Sequence, residues 1–320
     1  MLHLLNKNLN LQLFVLLLLI GWSAWNIFAR MTLMPAEGSM FLFHAAANLW
    51  NWSHVVARIC VLIIVLTMTF GVIHYFQQNH FYENSTYMPG IFLLLILNCG
   101  KFLYTFSPAL LTTFFIALIL TLFNPNESSS KAKDLIFTFG LVISIATMLD
   151  INAFGIFLFL ILTIAINNIT PFKDNVILLL GLLFPYIYAF SIAFLCNSMP
   201  AFLQSWSHLT LFAPIREINH LRIIDYVTLA YFGIFAIYLI VRGKQLLDNK
   251  LIVIRQAFTN THLLFISMLL FMWLGNMPMH GALLYLIMPV SIYLAVAVIP
   301  KRRRFIFDIL LVAFCVLLWL

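Results

Sequence analysis

The sequence predicts an all-α, polytopic integral membrane protein, and three observations carry that prediction. Apolar residues make up 64% of the 320, charged residues only 8%, and the mean hydropathy is +1.05. A water-soluble domain is normally about 25% charged, so that class is excluded. The apolar residues also fall into runs close to the ~20 that a spanning helix needs, separated by short polar breaks. About eleven such runs fill the chain, so residues 1–320 read as a single transmembrane domain with no room for a separate extramembrane one.

The runs lie at roughly 12–29, 56–76, 89–106, 108–123, 135–150, 153–168, 175–196, 225–241, 261–275, 281–299 and 305–320. The first follows Lys7 and lacks a small-x-small cleavage site, and its flank holds Trp22, Trp25 and Phe28, so it reads as a retained helix rather than a signal peptide. Ser107-Pro108 and Asp150-Ile151-Asn152 are tight breaks, which makes helices three to six two thin hairpins. Pro185 and Pro289 fall inside later runs, and Asp308 follows the Lys301–Arg304 cluster by one helical turn, in reach of a pairing with it.

Basic residues give the direction, because cytoplasmic loops retain Lys and Arg. With the N-terminus inside, twelve of the 17 fall on the cytoplasmic side: Lys7, Lys131, Lys133, Lys173, Arg242, Lys244, Lys250, Arg255 and the cluster at 301–304. Arg30, Arg58, Arg216 and Arg222 lie outside, Lys101 sits within the third run, and Leu320 ends outside. The net charge of +7 is spread over these connections, which argues for membrane topology and against nucleic acid.

Cys60, Cys99, Cys196 and Cys315 lie in or beside apolar runs without CxxC spacing and read as small core residues. No HxxxH or HExxH pattern gives a metal site, and no GxxxxGK[ST] or GxGxxG gives a nucleotide or other cofactor site.

Two external segments are long enough to build a site. Residues 30–55 hold Met40–His44, Leu49, Trp50 and Trp52, an aromatic stretch that suits an interfacial helix, with Glu37 just before it. Glu37 reads as a helix cap or surface group, or else as a general base or ion ligand. Residues 197–224 gather Arg216, Glu217, His220 and Arg222. Arg216 and His220, four apart, share a helix face, and guanidinium groups with a nearby imidazole suit the phosphate of a lipid carrier. The competing reading is a salt-bridged loop that anchors the eighth helix. Lys101 either snorkels to the outer interface or pairs with Asp150 or Glu37. Asn98, Asn152, Asn167 and Asn168 read as marks of helix contacts or helix ends.

The stretches HFYENSTYMPGIFLLLILN, SPALLTTFFIALILTLF, DLIFTFGLVISIATMLDINAFGIFLFLILTIAI and PFKDNVILLLGLLFPYIYAF resemble a family of uncharacterised multi-pass inner-membrane proteins from Bacteroidetes. That resemblance covers residues 56–195 and implies the bacterial inner membrane. Some of those proteins bear the name of carotenoid-cleaving oxygenases, whose iron needs several histidines that this chain does not supply. In architecture, a long external segment after the first helix followed by short hairpins resembles the membrane glycosyltransferases of the C superfamily. The resemblance implies a polyprenyl-phosphate-linked sugar as donor, Glu37 as the catalytic carboxylate, and Arg216 and Arg222 as ligands of the carrier phosphate; the reading of the residues adds His220 as a second catalytic residue and Lys101 to the phosphate ligands. The chain departs from that pattern in having one acid in the loop where many members have a pair, and in lacking a large external domain. Besides a lipid-linked-glycan enzyme, a non-catalytic membrane subunit or assembly factor remains open. A transporter ranks behind both, because no internal repeat is evident.

Overall fold

The structure is a computed structural model. It describes residues 8–33, 42–43, 47–48, 53–82, 85–122, 129–150, 153–167, 172–200, 202–203, 231, 233–235, 237–243, 245, 251–274, 279–298 and 311–316. Among these the chain is all-α apart from two strands of two residues each. The helices are α1 (Leu9–Arg30), α2 (His54–Gln78), α3 (Met88–Cys99), α4 (Pro108–Leu122), α5 (Ser129–Leu149), α6 (Phe154–Asn167) and α7 (Phe172–Leu195). They continue with α8 (Gly233–Gly243), α9 (Ile252–Leu274), α10 (Met279–Val298) and α11 (311–316). Leu9–Arg30, His54–Gln78 and Val176–Leu195 are long and apolar enough to cross a membrane, and shorter apolar helices accompany them.

Local chemistry sets the helix starts. Ser53 accepts from the Val56 amide at 3.4 Å and opens α2, and Ser107 accepts from the Leu110 amide at 3.3 Å and opens α4. Pro89 and Pro108 stand in the first turns of α3 and α4, where a missing amide hydrogen costs nothing.

Polar side chains within the apolar bundle fix the relative directions. Gln12, near the start of α1, accepts from the Tyr87 amide at 2.8 Å and the Thr86 hydroxyl at 3.1 Å, just ahead of α3. Near the other end of α1, Asn26 donates to Asn98 Oδ1 at 2.8 Å, and Asn98 donates to Ser23 Oγ at 2.8 Å and to the Leu94 carbonyl. α1 and α3 therefore run parallel. α2 runs against them, since Arg58 near its start reaches the carbonyls of Phe28 and Met31. Asn98 is thus a helix contact, as its type suggests.

The bundle has two ends, named here for Arg30 and Gln12. At the Gln12 end Tyr75 donates to the Ala257 carbonyl at 3.0 Å near the start of α9. Phe76, Phe81, Phe258, His262 and Tyr293 form a continuous ring cluster beside it. α9 thus leaves the Gln12 end, and α10 returns to it from Tyr285 to Tyr293.

α5 packs most extensively on α7 rather than on α6. The reason lies in two glycines. A Cβ at Gly140 would stand 2.5 Å from the Leu178 carbonyl oxygen, and one at Gly181 would stand 2.4 Å from that of Phe137. The two backbones approach closely, as small residues permit in a membrane. Both expected thin hairpins are corrected: among the described residues α5 packs on α7 far more than on α6, and α4 packs on α2, α5 and α10 rather than on α3.

Three further expectations change. The third run does not continue to 106, because Gly100 ends α3 and Lys101 turns left-handed at φ 55°. Cys60 and Cys196 are exposed, while Cys99 and Cys315 are partly covered, so the cysteines are not uniformly core residues. A helix surface facing lipid is as apolar as one facing its neighbours, and composition alone does not separate them. α9 begins nine residues earlier than the apolar run, because Arg255, Gln256 and Asn260 interrupt the run without ending the helix.

Candidate functional site

The Arg30 end is built around the smallest element of the fold. After α1, Thr32–Leu33 forms β1, which pairs in parallel with β2, Thr105–Phe106, in the register Thr32 to Thr105 and Leu33 to Phe106. Between Lys101 and β2 a single 3-10 turn, Phe102–Tyr104, carries the chain across the bundle. Lys101 is left-handed because the chain must reverse there at once. Its amide donates to the Asn98 carbonyl at 3.2 Å and its carbonyl accepts from Tyr104 at 3.0 Å. For a residue with a Cβ that conformation costs about 1–2 kcal/mol.

Tyr104 is thereby aimed at Arg30. The guanidinium donates to the phenol oxygen at 2.7 Å and lies 5.3 Å from the ring centroid. Thr32 Oγ1 donates to the Tyr104 carbonyl at 3.3 Å, which closes the same corner. Arg58 from α2 donates to the Phe28 carbonyl in the last turn of α1 at 2.8 Å and to that of Met31, just past its end, at 3.4 Å, so a cation neutralises the negative end of the α1 dipole. Phe43 is fully buried and stacks on Phe106 at 5.7 Å, which brings part of the 30–55 segment onto β2. Residues 42–43 and 47–48 are helical, and the rest of the expected interfacial helix lies outside the described residues.

A carboxylate lies within the bundle at the same end. Asp150, 9% exposed, closes α5 and accepts from the Tyr285 hydroxyl at 2.6 Å. Thr112, one helical turn into α4 and about 6 Å below its start, is fully buried beside the same phenol. One more hydroxyl pair, Thr147 with Tyr186 at 2.7 Å, ties α5 to α7 nearby.

Of the residues the sequence nominates, Lys101 is placed here, past the end of α3 rather than within a span. Glu37, Arg216, His220 and Arg222 lie outside the described residues, as do Glu217 and Asn152. The structure adds Arg30, Arg58, Tyr104 and Tyr285, and it gives Asp150, which the sequence offers as a partner of Lys101, a hydrogen bond from Tyr285. Charge marks Arg30 and Arg58 as external in the sequence, and Asp150 is visible as a break, but nothing in the sequence pairs Tyr104 with Arg30 or Tyr285 with Asp150. Among the described residues no group of three or more His, Cys, Asp or Glu is arranged to hold a metal ion.

Chemically, this end offers an exposed guanidinium beside a phenol, which suits phosphate oxygens, and a partly exposed lysine three residues before that phenol in the chain. It also offers a shielded carboxylate held by a phenol, an arrangement that stores a proton or a negative charge away from water. No family model matches the chain, and neither does any curated protein or solved structure.

Proposed function

We propose that this chain is a bacterial inner-membrane protein of about eleven spans, with its N-terminus cytoplasmic and its Arg30 end and C-terminus external. On this reading it works at the outer face in cell-envelope glycoconjugate assembly, as a glycosyltransferase-like enzyme that uses a polyprenyl-phosphate-linked sugar.

The observation that supports the reading most is the contact of Arg30 with Tyr104, at the point where the 30–55 segment leaves α1, with Lys101 three residues before that phenol in the chain. Arg30 and Lys101 would hold the carrier phosphate, joined by Arg216 and Arg222 from the second external segment. Glu37 would act as general base on the acceptor, and His220 would move the proton. Asp150 and Tyr285 would fix α5 and α10 beneath this mouth.

The test is genetic and chemical. Envelope glycans from cells lacking the protein are compared with those from cells complemented with wild type or Glu37→Gln. The proposal expects a missing or truncated glycan that wild type restores and Glu37→Gln does not, with both proteins inserted at equal levels. Full restoration by Glu37→Gln would overturn the catalytic reading and leave the non-catalytic membrane subunit.

A further inference from the structure

On the exposed side of the bundle, α2 and α4 enclose an open trough of about 500 Å3. Its floor is made by small residues. A Cβ on Gly71 would meet Thr121 Cγ2 at 3.2 Å and Ala117 Cβ at 3.8 Å, so the two helices nearly touch there. The walls are Ile63 and Phe70 of α2, each more than half exposed, and Phe114 and Leu118 of α4.

The trough has a direction. From Ile63 to His74 it follows eleven residues of α2, about 16 Å at 1.5 Å per residue. That is half of a ~30 Å hydrocarbon core, the depth of one leaflet. The apolar walls occupy the half nearer the middle of α2. The one titratable lining residue, His74, is exposed and lies four residues from the end of α2. An imidazole at that level stands where phospholipid headgroups begin, and whichever tautomer it adopts it keeps a ring N–H to donate.

We propose that this trough binds one glycerophospholipid of the leaflet at the Gln12 end, with an acyl chain lying on Gly71 and Ala117 and the phosphodiester accepting a hydrogen bond from His74. Apolar walls of one-leaflet length match the chain, and a hydrogen-bond donor at the headgroup level matches the phosphate. The occupant belongs to the opposite end of the bundle from Arg30 and does not depend on what is bound there.

The test is native mass spectrometry of the delipidated full-length protein in detergent, titrated with dioleoyl phosphatidylglycerol and, separately, with dioleoylglycerol, which has the chains without the phosphate. The expected result is one tight phosphatidylglycerol adduct. Leu118→Trp, which fills the trough from its wall, removes that adduct. His74→Ala weakens it on the order of tenfold, as loss of a hydrogen bond to a charged group does, and dioleoylglycerol binds weaker by the same factor. Ile187→Trp, on the exposed surface of α7, leaves it unchanged. An adduct that survives Leu118→Trp overturns the site. One that is indifferent to both His74→Ala and the missing phosphate overturns the headgroup contact.

Discussion

Tyr285 donates a 2.6 Å hydrogen bond to the Asp150 carboxylate across 135 residues of chain, joining the end of α5 to the first turns of α10. A carboxylate 9% exposed in an apolar bundle has no water to fall back on, so this partner matters more than a surface hydroxyl would.

Tyr285→Phe should therefore destabilise the protein by about 1–3 kcal/mol, the cost of removing a hydrogen bond to a charged or buried group. In an Asp150→Asn background the same change should cost clearly less, because the charge is gone. Thermal unfolding in detergent of the four proteins of this cycle gives the coupling directly. Additive effects would mean that the two side chains do not act together.

A second ladder makes a similar prediction at lower magnitude. Asn98 is 1% exposed and bridges Ser23 and Asn26, so Asn98→Leu strands the Asn26 amide and leaves Ser23 only its bond to the Leu19 carbonyl. Hydrogen bonds between membrane helices average about 0.6 kcal/mol, up to about 1.7, and a loss of roughly 1–2 kcal/mol is expected on the same unfolding scale. Asn98→Gln should recover part of it.

The α5–α7 contact is steric. Gly140→Leu forces a side chain into the backbone of α7, where even a Cβ would lie 2.5 Å from the Leu178 oxygen. The helices must separate, and overpacking of this kind costs about 1–3 kcal/mol or more. Gly21→Leu, which meets nothing within 4 Å, should be tolerated. Comparing detergent-extracted yield and melting temperature of the two variants checks this.

The fold was legible where apolarity and breaks agree. The runs at 12–29 and 56–76 match Leu9–Arg30 and His54–Gln78 within a few residues. The end of α3 was hidden because Phe102, Leu103 and Tyr104 continue the apolar run after the helix has stopped. Gly100 was the one local signal, in the position where helices commonly end. The start of α9 was hidden for the converse reason, since polar Arg255, Gln256 and Asn260 sit on a helix that hydropathy alone does not extend. At the site, Lys101, Arg30 and Arg58 could be read from charge, whereas the partners Tyr104 and Tyr285 are supplied by packing between distant segments, which no periodicity encodes.

Thr105, exposed in β2, reports the direction of the chain. In a cysteine-free background Thr105→Cys should react with a membrane-impermeant maleimide added to intact spheroplasts. Protection until the membrane is broken would invert the assignment of the Arg30 end to the outside.

The central claim is that the Arg30 corner holds the phosphate of a lipid carrier, and mass spectrometry of the gently extracted protein tests it most directly. The account predicts a co-purified polyprenyl phosphate or pyrophosphate that is lost in Arg30→Gln and Lys101→Gln and in Arg216→Ala and Arg222→Ala, while each variant still inserts. A carrier retained equally by all four, or wild-type protein that brings only bulk phospholipid or a partner protein, would contradict it.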